Sequence, residues 1–172
     1  MIDGGLGIDA ADYSDSSAGV TVALDGSTGT GGDAQGDVLS SIETIIGSAF
    51  DDTLTGGNNA DQLEGGAGND TLRGGANNDT LIGGDGNDFI EGGADDHLEG
   101  RAGADLLDGG AGIDTADYSS SALGVTVDLA TGTGVGGDAQ GDALVSIEKL
   151  VGSSGADILS GAASDDEISG GA

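Results

Sequence analysis

A nine-residue period is the feature of this sequence that most restricts its fold. From Gly47 to Asp117 the chain divides into eight consecutive units, and only the unit from Gly92 to Glu99 is a residue short. In every unit the sixth position is aspartate and the eighth is apolar. A fixed short period is typical of a solenoid, in which each unit packs only against its neighbours. We therefore expect a repeat architecture and not a conventional globular core.

The two periodic positions define two sets of residues. The sixth-position aspartates are Asp52, Asp61, Asp70, Asp79, Asp88, Asp96, Asp105 and Asp114. The eighth-position apolar residues are Leu54, Leu63, Leu72, Leu81, Ile90, Leu98, Leu107 and Ala116. A disordered acidic linker is the alternative that a composition rich in glycine and aspartate suggests. The apolar residues recur in register with the aspartates, and disorder requires no such register.

A second, longer period lies over the first, because residues 4–56 recur at a constant offset of 105 residues. We expect one module over residues 1–172, with a partial repeat at 4–12, a spacer at 13–46, nonapeptide repeats at 47–117, a spacer copy at 118–151 and truncated repeats at 152–172. The spacer could add about two coils in phase with the repeats or project as a loop. The strand-like alternation of Val20, Val22 and Leu24 favours the coils. Both chain ends fall inside the repeat pattern, as expected of a piece of a longer protein.

The charge of the chain restricts its partners. Aspartate and glutamate number 32 against three basic residues, which gives a formal net charge of -29. Such self-repulsion opposes compaction unless a cation binds. Nucleic acid is excluded because phosphate binding needs a basic surface. No apolar run approaches the roughly 18 residues that span a bilayer, so we expect no membrane insertion.

The sequence offers no catalytic constellation. His97 is the single histidine, and the chain contains no cysteine. Paired carboxylates such as Asp51 and Asp52 belong to the repeat frame and have no aromatic sugar platform beside them. We therefore expect no enzymatic activity.

The spacing of the aspartates places them in two rows. Each nonamer has a glycine-rich half, which suits a turn, and a three-residue half centred on the apolar position, which suits a very short strand. Two nonamers then close one coil, and stacked strands lie about 4.8 Å apart. One row holds Asp52, Asp70, Asp88 and Asp105, and the other holds Asp61, Asp79, Asp96 and Asp114. Like charges at this spacing repel, so the rows predict a cation between successive aspartates.

Calcium is the cation that this donor set favours. Carboxylates and turn carbonyls supply only oxygen ligands, and flexible turns tolerate the six to eight ligands of calcium, whereas magnesium demands stricter octahedral geometry. Carbonyls converge on an ion only where the turn enters conformations with positive φ. The fourth position fits this requirement, because it is glycine in four units and asparagine, which next best tolerates the left-handed region, in two. The glycines are Gly68, Gly86, Gly103 and Gly112, and the asparagines are Asn59 and Asn77.

Units such as GGAGNDTLR and GGDGNDFIE match the pattern GGxGxD-x-apolar-x, and the chain therefore resembles RTX (repeats-in-toxin) proteins. The resemblance implies an all-β, right-handed parallel β-roll that binds several calcium ions. It further implies a bacterial protein that is exported by type I secretion and folds when calcium binds outside the cell. The alternative is an adhesin spacer, or an accessory module of a polysaccharide-modifying enzyme such as an alginate epimerase, with an extracellular polysaccharide or cell-surface partner.

The same resemblance implies a ligand set. One ion would be shared by two turns 18 residues apart, with carbonyls from positions two and four of the earlier turn and one and three of the later, and both aspartates. The first such site contains Gly66, Gly68, Asp70, Gly83, Asp85 and Asp88. The second contains Gly57, Asn59, Asp61, Gly74, Ala76 and Asp79, and the third contains Gly84, Gly86, Asp88, Gly100, Ala102 and Asp105. The other candidate ligands are Asp52, Asp96, Gly109, Ala111 and Asp114.

Departures from the repeat pattern weaken some sites. Ser48 and Phe50 replace glycines in the first unit, Arg101 replaces one at a second position, and the short unit disturbs sites that use Asp96. The two GGDAQGD loops of the spacers leave two interpretations open. Their aspartates are either solvated turn residues or additional calcium ligands, and they are Asp33, Asp37, Asp138 and Asp142.

Overall fold

The computed structural model describes residues 1–162 and 165–171, and its regular secondary structure is almost entirely short β-strands joined by turns. Most strands lie in two sheets, one of nine strands and one of eight, and a third sheet has two strands. The truncated repeats predicted at 152–172 include residues 163, 164 and 172, which lie outside the described residues. The remaining predictions fall on described residues.

The strands follow one another closely along the chain. They are β1 Ile2–Asp3, β2 Ala10–Asp12, β3 Thr21–Ala23, β4 Leu39–Ser40, β5 Thr44–Ile46, β6 Thr53–Thr55, β7 Gln62–Ala67, β8 Thr71–Arg73, β9 Thr80–Asp85, β10 Phe89–Ala94, β11 His97–Ala102, β12 Leu106–Ala111, β13 Thr115–Asp117, β14 Thr126–Asp128, β15 Thr133–Val135, β16 Ala143–Val145, β17 Lys149–Val151, β18 Ile158–Ser160 and β19 Glu167–Ser169. Two short 3-10 helices lie at Gly32–Ala34 and Gly137–Ala139.

Within the repeats, successive strands alternate between the two large sheets. Strands β6, β8, β10 and β12 are parallel neighbours in one sheet, and β5, β7, β9, β11 and β13 are parallel neighbours in the other. The register pairs Leu54 with Leu72 and Leu72 with Ile90, so two nonamers form one coil. The predicted all-β parallel roll is confirmed.

Within the repeats, the core between the sheets consists of the eighth-position side chains, which both large sheets contribute. All eight of these residues have no exposed surface. Burying a leucine or isoleucine side chain contributes about 1.5–3 kcal/mol. The flanking seventh and ninth positions face outward and are partly or fully exposed. Each strand of the repeats therefore contributes one fully buried apolar side chain to the core.

Several strands are longer than the three residues predicted. Strands β7, β9, β10, β11 and β12 each have six residues and run through the glycines of the following unit. Gly66 pairs with Gly84, and Ala67 pairs with Asp85. Without a Cβ, the glycine backbones approach closely enough to continue the ladder beyond the apolar half.

The spacers join the roll, but the prediction of two coils each is wrong. Thr115 pairs with Lys149 and Ala10 pairs with Thr44, so each spacer advances the eight-stranded sheet by one strand. In the second spacer, the other residues form the antiparallel unit β14–β15–β16 in the nine-stranded sheet. The spacer thus makes one long coil that contains an antiparallel strand, because its turns fold back within one sheet and do not cross to the other.

Candidate metal centre

The sixth-position aspartates form two buried ladders at opposite edges of the roll, where the chain crosses between the sheets. In the first ladder the backbone N–H of Asp52 donates to Oδ1 of Asp70 at 2.8 Å. The same contact links Asp70 to Asp88, Asp88 to Asp105 and Asp105 to Asp142. The second ladder links Asp61, Asp79, Asp96, Asp114 and Glu148 in the same way. The two predicted rows are confirmed, and the structure adds a spacer residue to the end of each.

The short unit does not interrupt the second ladder. Asp79 N–H donates to Oδ1 of Asp96 at 2.7 Å, although these residues are 17 apart. Asp96 N–H in turn donates to Oδ1 of Asp114 at 2.6 Å. The missing residue shortens the turn before Asp96, and the carboxylate keeps its place in the row.

The second carboxylate oxygens of the interior aspartates are unsatisfied. Among the described residues, buried Oδ2 atoms without a hydrogen-bond partner belong to Asp70, Asp79, Asp88, Asp96, Asp105 and Asp114, and also to Asp9 and Asp157. Each aspartate is one rung of its ladder, and the first rung of the second ladder does have a partner for this atom. There Asp61 Oδ2 accepts the N–H of Gly57 at 2.6 Å. A buried polar atom without a partner costs free energy. A cation between the rungs would remove this cost, so the residues present fit a metal ion.

The electrostatics of the ladders favour the same conclusion. Burial raises the pKa of Asp70 and of Asp105 to about 7, and the pKa of Asp79 and of Asp88 to about 6. The backbone N–H that each carboxylate accepts lowers its pKa, and neighbouring aspartates raise it again. A bound cation stabilises the ionised carboxylates and therefore lowers their pKa, which opposes the effects of burial and of the neighbouring aspartates.

The turns that carry the predicted carbonyl ligands stack on one another. Gly84 and Gly86 have φ values of +124° and +139°, and an added Cβ would overlap the carbonyl oxygens of Gly66 and Gly68 respectively. These two carbonyls therefore point along the stack towards the next turn. Glycine is required here for both its conformation and its lack of a side chain.

The structure brings together the pairs of turns that the predicted sites use. Between the turns of the first site, Gly68 N–H donates to Asp85 O at 2.8 Å. Between those of the third, Gly86 N–H donates to Ala102 O at 2.8 Å. Between those of the second, the contact runs from Ala76 to Gly57, at 3.2 Å. Ala111 pairs with Ala94 in the turn of the short unit, and the carbonyl oxygen of Gly109 lies 2.7 Å from the place that a Cβ at Gly92 would take. Each carbonyl that accepts one N–H retains a second lone pair, and the assignment of these atoms as ligands stays a prediction.

The side chains alone do not make a metal cage. Over residues 1–162 and 165–171, no group of three or more histidine, cysteine, aspartate or glutamate side chains is placed to hold an ion. An ion in a ladder must therefore take backbone carbonyls in addition to two carboxylates. Such an all-oxygen set suits calcium and not zinc or copper.

The prediction of a left-handed fourth position holds for only one of the two asparagines. Asn77 has φ +70°, whereas Asn59 does not have a positive φ. The turn of Asn59 is the first of its ladder in this block, so Gly57 contacts the repeat turn of Ala76 on one side and lies beside Leu24 of the spacer on the other. Asp95 and Arg101 adopt φ +57° and +68°, so the stacked geometry persists at non-glycine residues.

A further ladder was missed by sequence reasoning. Asn69 N–H donates to Oδ1 of Asp51 at 2.7 Å, and Asn87 N–H donates to Oδ1 of Asn69 at 2.9 Å. Ile113 N–H makes the same contact with Asp95 on the opposite edge, at 2.8 Å. The signal in the sequence is the frequent asparagine or aspartate at the fifth position, whose side-chain oxygen satisfies the next turn.

The aspartates of the spacer loops do not behave alike. Asp33 is exposed, and Asp37 and Asp138 are half-buried. Asp142 is only 3% exposed and accepts hydrogen bonds from Asp105 N–H and from the Tyr118 hydroxyl. Asp142 is therefore not a solvated turn residue.

Comparison with protein families agrees with this geometry. A family model described as the RTX calcium-binding nonapeptide repeat matches residues 39–72, 64–96, 92–116 and 146–172, together more than half of the chain. Comparison with curated proteins finds no match. In the part of the chain that the structure describes, neither 3-10 helix nor any other helix has the length and apolar character to cross a membrane. With its two aspartate ladders and four matched segments, the chain belongs to the family of RTX calcium-binding nonapeptide repeats.

Proposed function

We propose that this chain is a non-enzymatic module that folds when calcium binds, within a bacterial protein exported by type I secretion. The observation that carries the proposal is the set of six buried Oδ2 atoms in the repeats, at Asp70, Asp79, Asp88, Asp96, Asp105 and Asp114, which have no protein partner among the described residues. The net charge of -29 adds a general repulsion that a cation relieves.

The low calcium concentration of the cytosol gives this arrangement a use. Without calcium, the buried carboxylates oppose folding, and an unfolded chain can pass through a narrow secretion channel. Outside the cell, calcium reaches the roughly 10⁻⁴–10⁻³ M range typical of extracellular calcium modules. Calcium binding then supplies free energy of folding. RTX repeats occur in secreted bacterial proteins, which supports this location.

Circular dichroism tests the proposal directly. The chain is freed of calcium with a chelator, and calcium is then added in steps from micromolar to millimolar. We expect little β signal at neutral pH in chelator and a cooperative gain with calcium. Magnesium at equal concentrations is the control and is expected to fail, because its octahedral geometry is stricter. A chain that is fully folded in chelator, or that folds equally with both ions, would contradict the proposal.

A further inference from the structure

The first ladder ends in the second spacer at a carboxylate that protein groups satisfy. Asp142 occupies the rung that follows Asp105, and its Oδ1 accepts the N–H of Asp105 at 2.9 Å. Its Oδ2 accepts the hydroxyl of Tyr118 at 3.0 Å. Tyr118 is 1% exposed, so the pair is buried. The hydroxyl thus satisfies the atom that has no partner at the three preceding aspartates of this ladder, Asp70, Asp88 and Asp105, or at their three counterparts in the second ladder.

The turn before Asp142 also differs from a repeat turn. It forms the 3-10 helix Gly137–Ala139 in place of a stacked glycine turn. Ser121 fixes this helix, since its Oγ accepts Asp138 N–H at 3.1 Å and donates to Leu123 O at 2.9 Å. Ala139 O is turned back to accept Asp142 N–H at 3.3 Å. The later turn therefore does not present carbonyls in the arrangement of the repeats.

The second ladder ends at a shortened turn. Asp108 pairs with Val145, and Thr115 pairs with Lys149. Six residues separate the first members of these two pairs, whereas only 146–148 separate the second members. Glu148 Oε2 accepts Asp114 N–H at 3.1 Å and so provides the last rung. The glycine turn that would supply carbonyls on this side is missing.

The first spacer repeats the arrangement. Tyr13 donates its hydroxyl to Asp37 Oδ2 at 3.3 Å, and Ser16 Oγ accepts Asp33 N–H at 3.1 Å. Asp9 N–H donates to Glu43 Oε2 at 3.1 Å. All of these contacts recur 105 residues later in the chain. The recurrence indicates a built feature of the spacer.

The far side of each spacer starts the next block of repeats. Val20 N–H donates to Asp52 Oδ1 at 2.6 Å, and Val125 N–H donates to Asp157 Oδ1 at 2.9 Å. A spacer backbone amide thus takes the place that an aspartate amide takes between repeats. The spacer closes one pair of ladders and opens the next.

We infer that the spacer is a metal-independent terminator of the calcium ladders, in which Asp142 fills a rung but ligates no calcium because Tyr118 and the 3-10 turn hold it. The inference rests on the proposed calcium binding of the repeats. On this inference, each spacer separates one calcium-binding block of repeats from the next, and residues 47–117 form the block that lies between the two spacers of this chain. Tyr118 is a positioning residue in this arrangement.

Two substitutions on adjacent rungs test the inference. Asp142→Asn and Asp105→Asn each remove one buried carboxylate and keep an oxygen for the ladder N–H. The number of calcium ions bound per chain is measured by equilibrium dialysis at saturating calcium. We expect the count for Asp142→Asn to equal that of the unsubstituted chain, and the count for Asp105→Asn to fall by at least one. An equal loss in both variants would overturn the inference while leaving calcium binding established. An unsubstituted chain that binds no calcium would instead overturn the proposed function.

Tyr118→Phe provides a second variant in case Asp142→Asn does not fold. Removing the hydroxyl leaves Asp142 Oδ2 buried without its partner, so we expect a higher calcium midpoint for folding. A purely structural role predicts this shift but does not change stoichiometry, and we expect the same calcium count at saturation. Tyr13 is then the only remaining tyrosine, and the chain has no tryptophan, so the lost fluorescence identifies the contribution of Tyr118. A lower calcium count in Tyr118→Phe would overturn the inference, because Tyr118 would then belong to a metal site.

Discussion

At the scale of the residue, the two oxygens of each interior aspartate have separate roles. Oδ1 of Asp88 accepts the N–H of Asp70 at 2.8 Å, which fixes the side chain in the ladder. Oδ2 of Asp88 is buried without a protein partner among the described residues. The carboxylate is thus positioned by the fold and kept available for a cation. In the calcium-free fold, this carboxylate is either a buried charge or protonated, and both states cost free energy.

The raised pKa values predict opposite pH dependences with and without calcium. The pKa of Asp70 is about 7 and that of Asp88 about 6 in the fold, both above their ordinary value of 3.8. Between the ordinary pKa and these raised values, the folded chain binds more protons than the unfolded chain. Without calcium, the stability of the fold therefore rises as the pH falls, and this contribution is lost as the pH rises through 6 to 7. With calcium, protons compete for the same oxygens, so folding at fixed low-millimolar calcium weakens as the pH falls.

The measurement is β signal against pH, from about 7.5 to about 5.5, in calcium-depleted and calcium-containing buffers. We expect the calcium-depleted chain to gain structure on acidification and the calcium midpoint to rise over the same range. If acid reduces structure in both buffers, the buried carboxylates are not what opposes folding of the calcium-free chain.

At the scale of the element, the coil of two nonamers determines which aspartates act together. Asp70 and Asp88 are neighbours in one ladder, whereas Asp79 lies in the other ladder. We expect Asp70→Ala and Asp88→Ala to be strongly non-additive, because the shared ion is largely lost after either change. Coupling of about 0.5–3 kcal/mol is typical within a network, while separated sites add within a few tenths.

A double-mutant cycle on the folding midpoint measures both pairs at one calcium concentration. Asp70 with Asp79 is the matched control, since these residues are closer in sequence but lie on opposite edges. Coupling of the control pair that equals or exceeds that of Asp70 with Asp88 would show that the assignment of shared ions is wrong.

The stacked turns predict a second element-scale effect. Gly86 and Gly26 both have positive φ, at +139° and +82°, but only at Gly86 would a Cβ overlap a carbonyl, that of Gly68. Either alanine substitution places an L-residue in a disfavoured conformation, at a cost of about 1–2 kcal/mol. We expect Gly86→Ala to raise the calcium midpoint well beyond the change caused by Gly26→Ala. Equal effects would mean that turns 18 residues apart do not stack closely.

The sequence predicted the elements that its period controls. A strict spacing of aspartate and leucine determines which residues share a ladder or the core, and Leu54 to Ala116 are buried accordingly. The hydrogen bond from Tyr118 to Asp142 spans 24 residues without periodic spacing, so no pattern indicated it. The antiparallel strand β15 was also missed, because its Thr-Gly-Val sequence lacks the alternation that marks the neighbouring strand β14.

At the scale of the whole molecule, two kinds of repulsion oppose folding. The net charge of -29 acts over the whole surface, and with only three basic residues nearly all of the compensating positive charge must come from counterions in solution. Over the described residues, ion pairs with arginine or lysine are partly exposed contacts, such as Arg73 with Glu91 at 3.1 Å and Lys149 with Glu167 at 3.2 Å. The ladders add a local repulsion between buried carboxylates, which salt in solution screens poorly.

A high concentration of monovalent salt can therefore distinguish general compaction of the chain from calcium-dependent folding. The Debye length falls to about 3 Å in 1 M monovalent salt, which removes most surface repulsion but leaves the buried Oδ2 atoms unsatisfied. Without calcium, we expect 1 M NaCl to reduce the radius of gyration in small-angle X-ray scattering without the cooperative gain of β signal in circular dichroism. Millimolar calcium at low salt should produce both changes in the same samples. If NaCl alone produced the full β signal, general repulsion would be sufficient to explain the unfolded state, and the ladders would not require a specific ion. If NaCl produced compaction alone, formation of the ladders would be the step that calcium controls. The buried carboxylates would then need a cation that they coordinate directly, and an ionic atmosphere would not be sufficient.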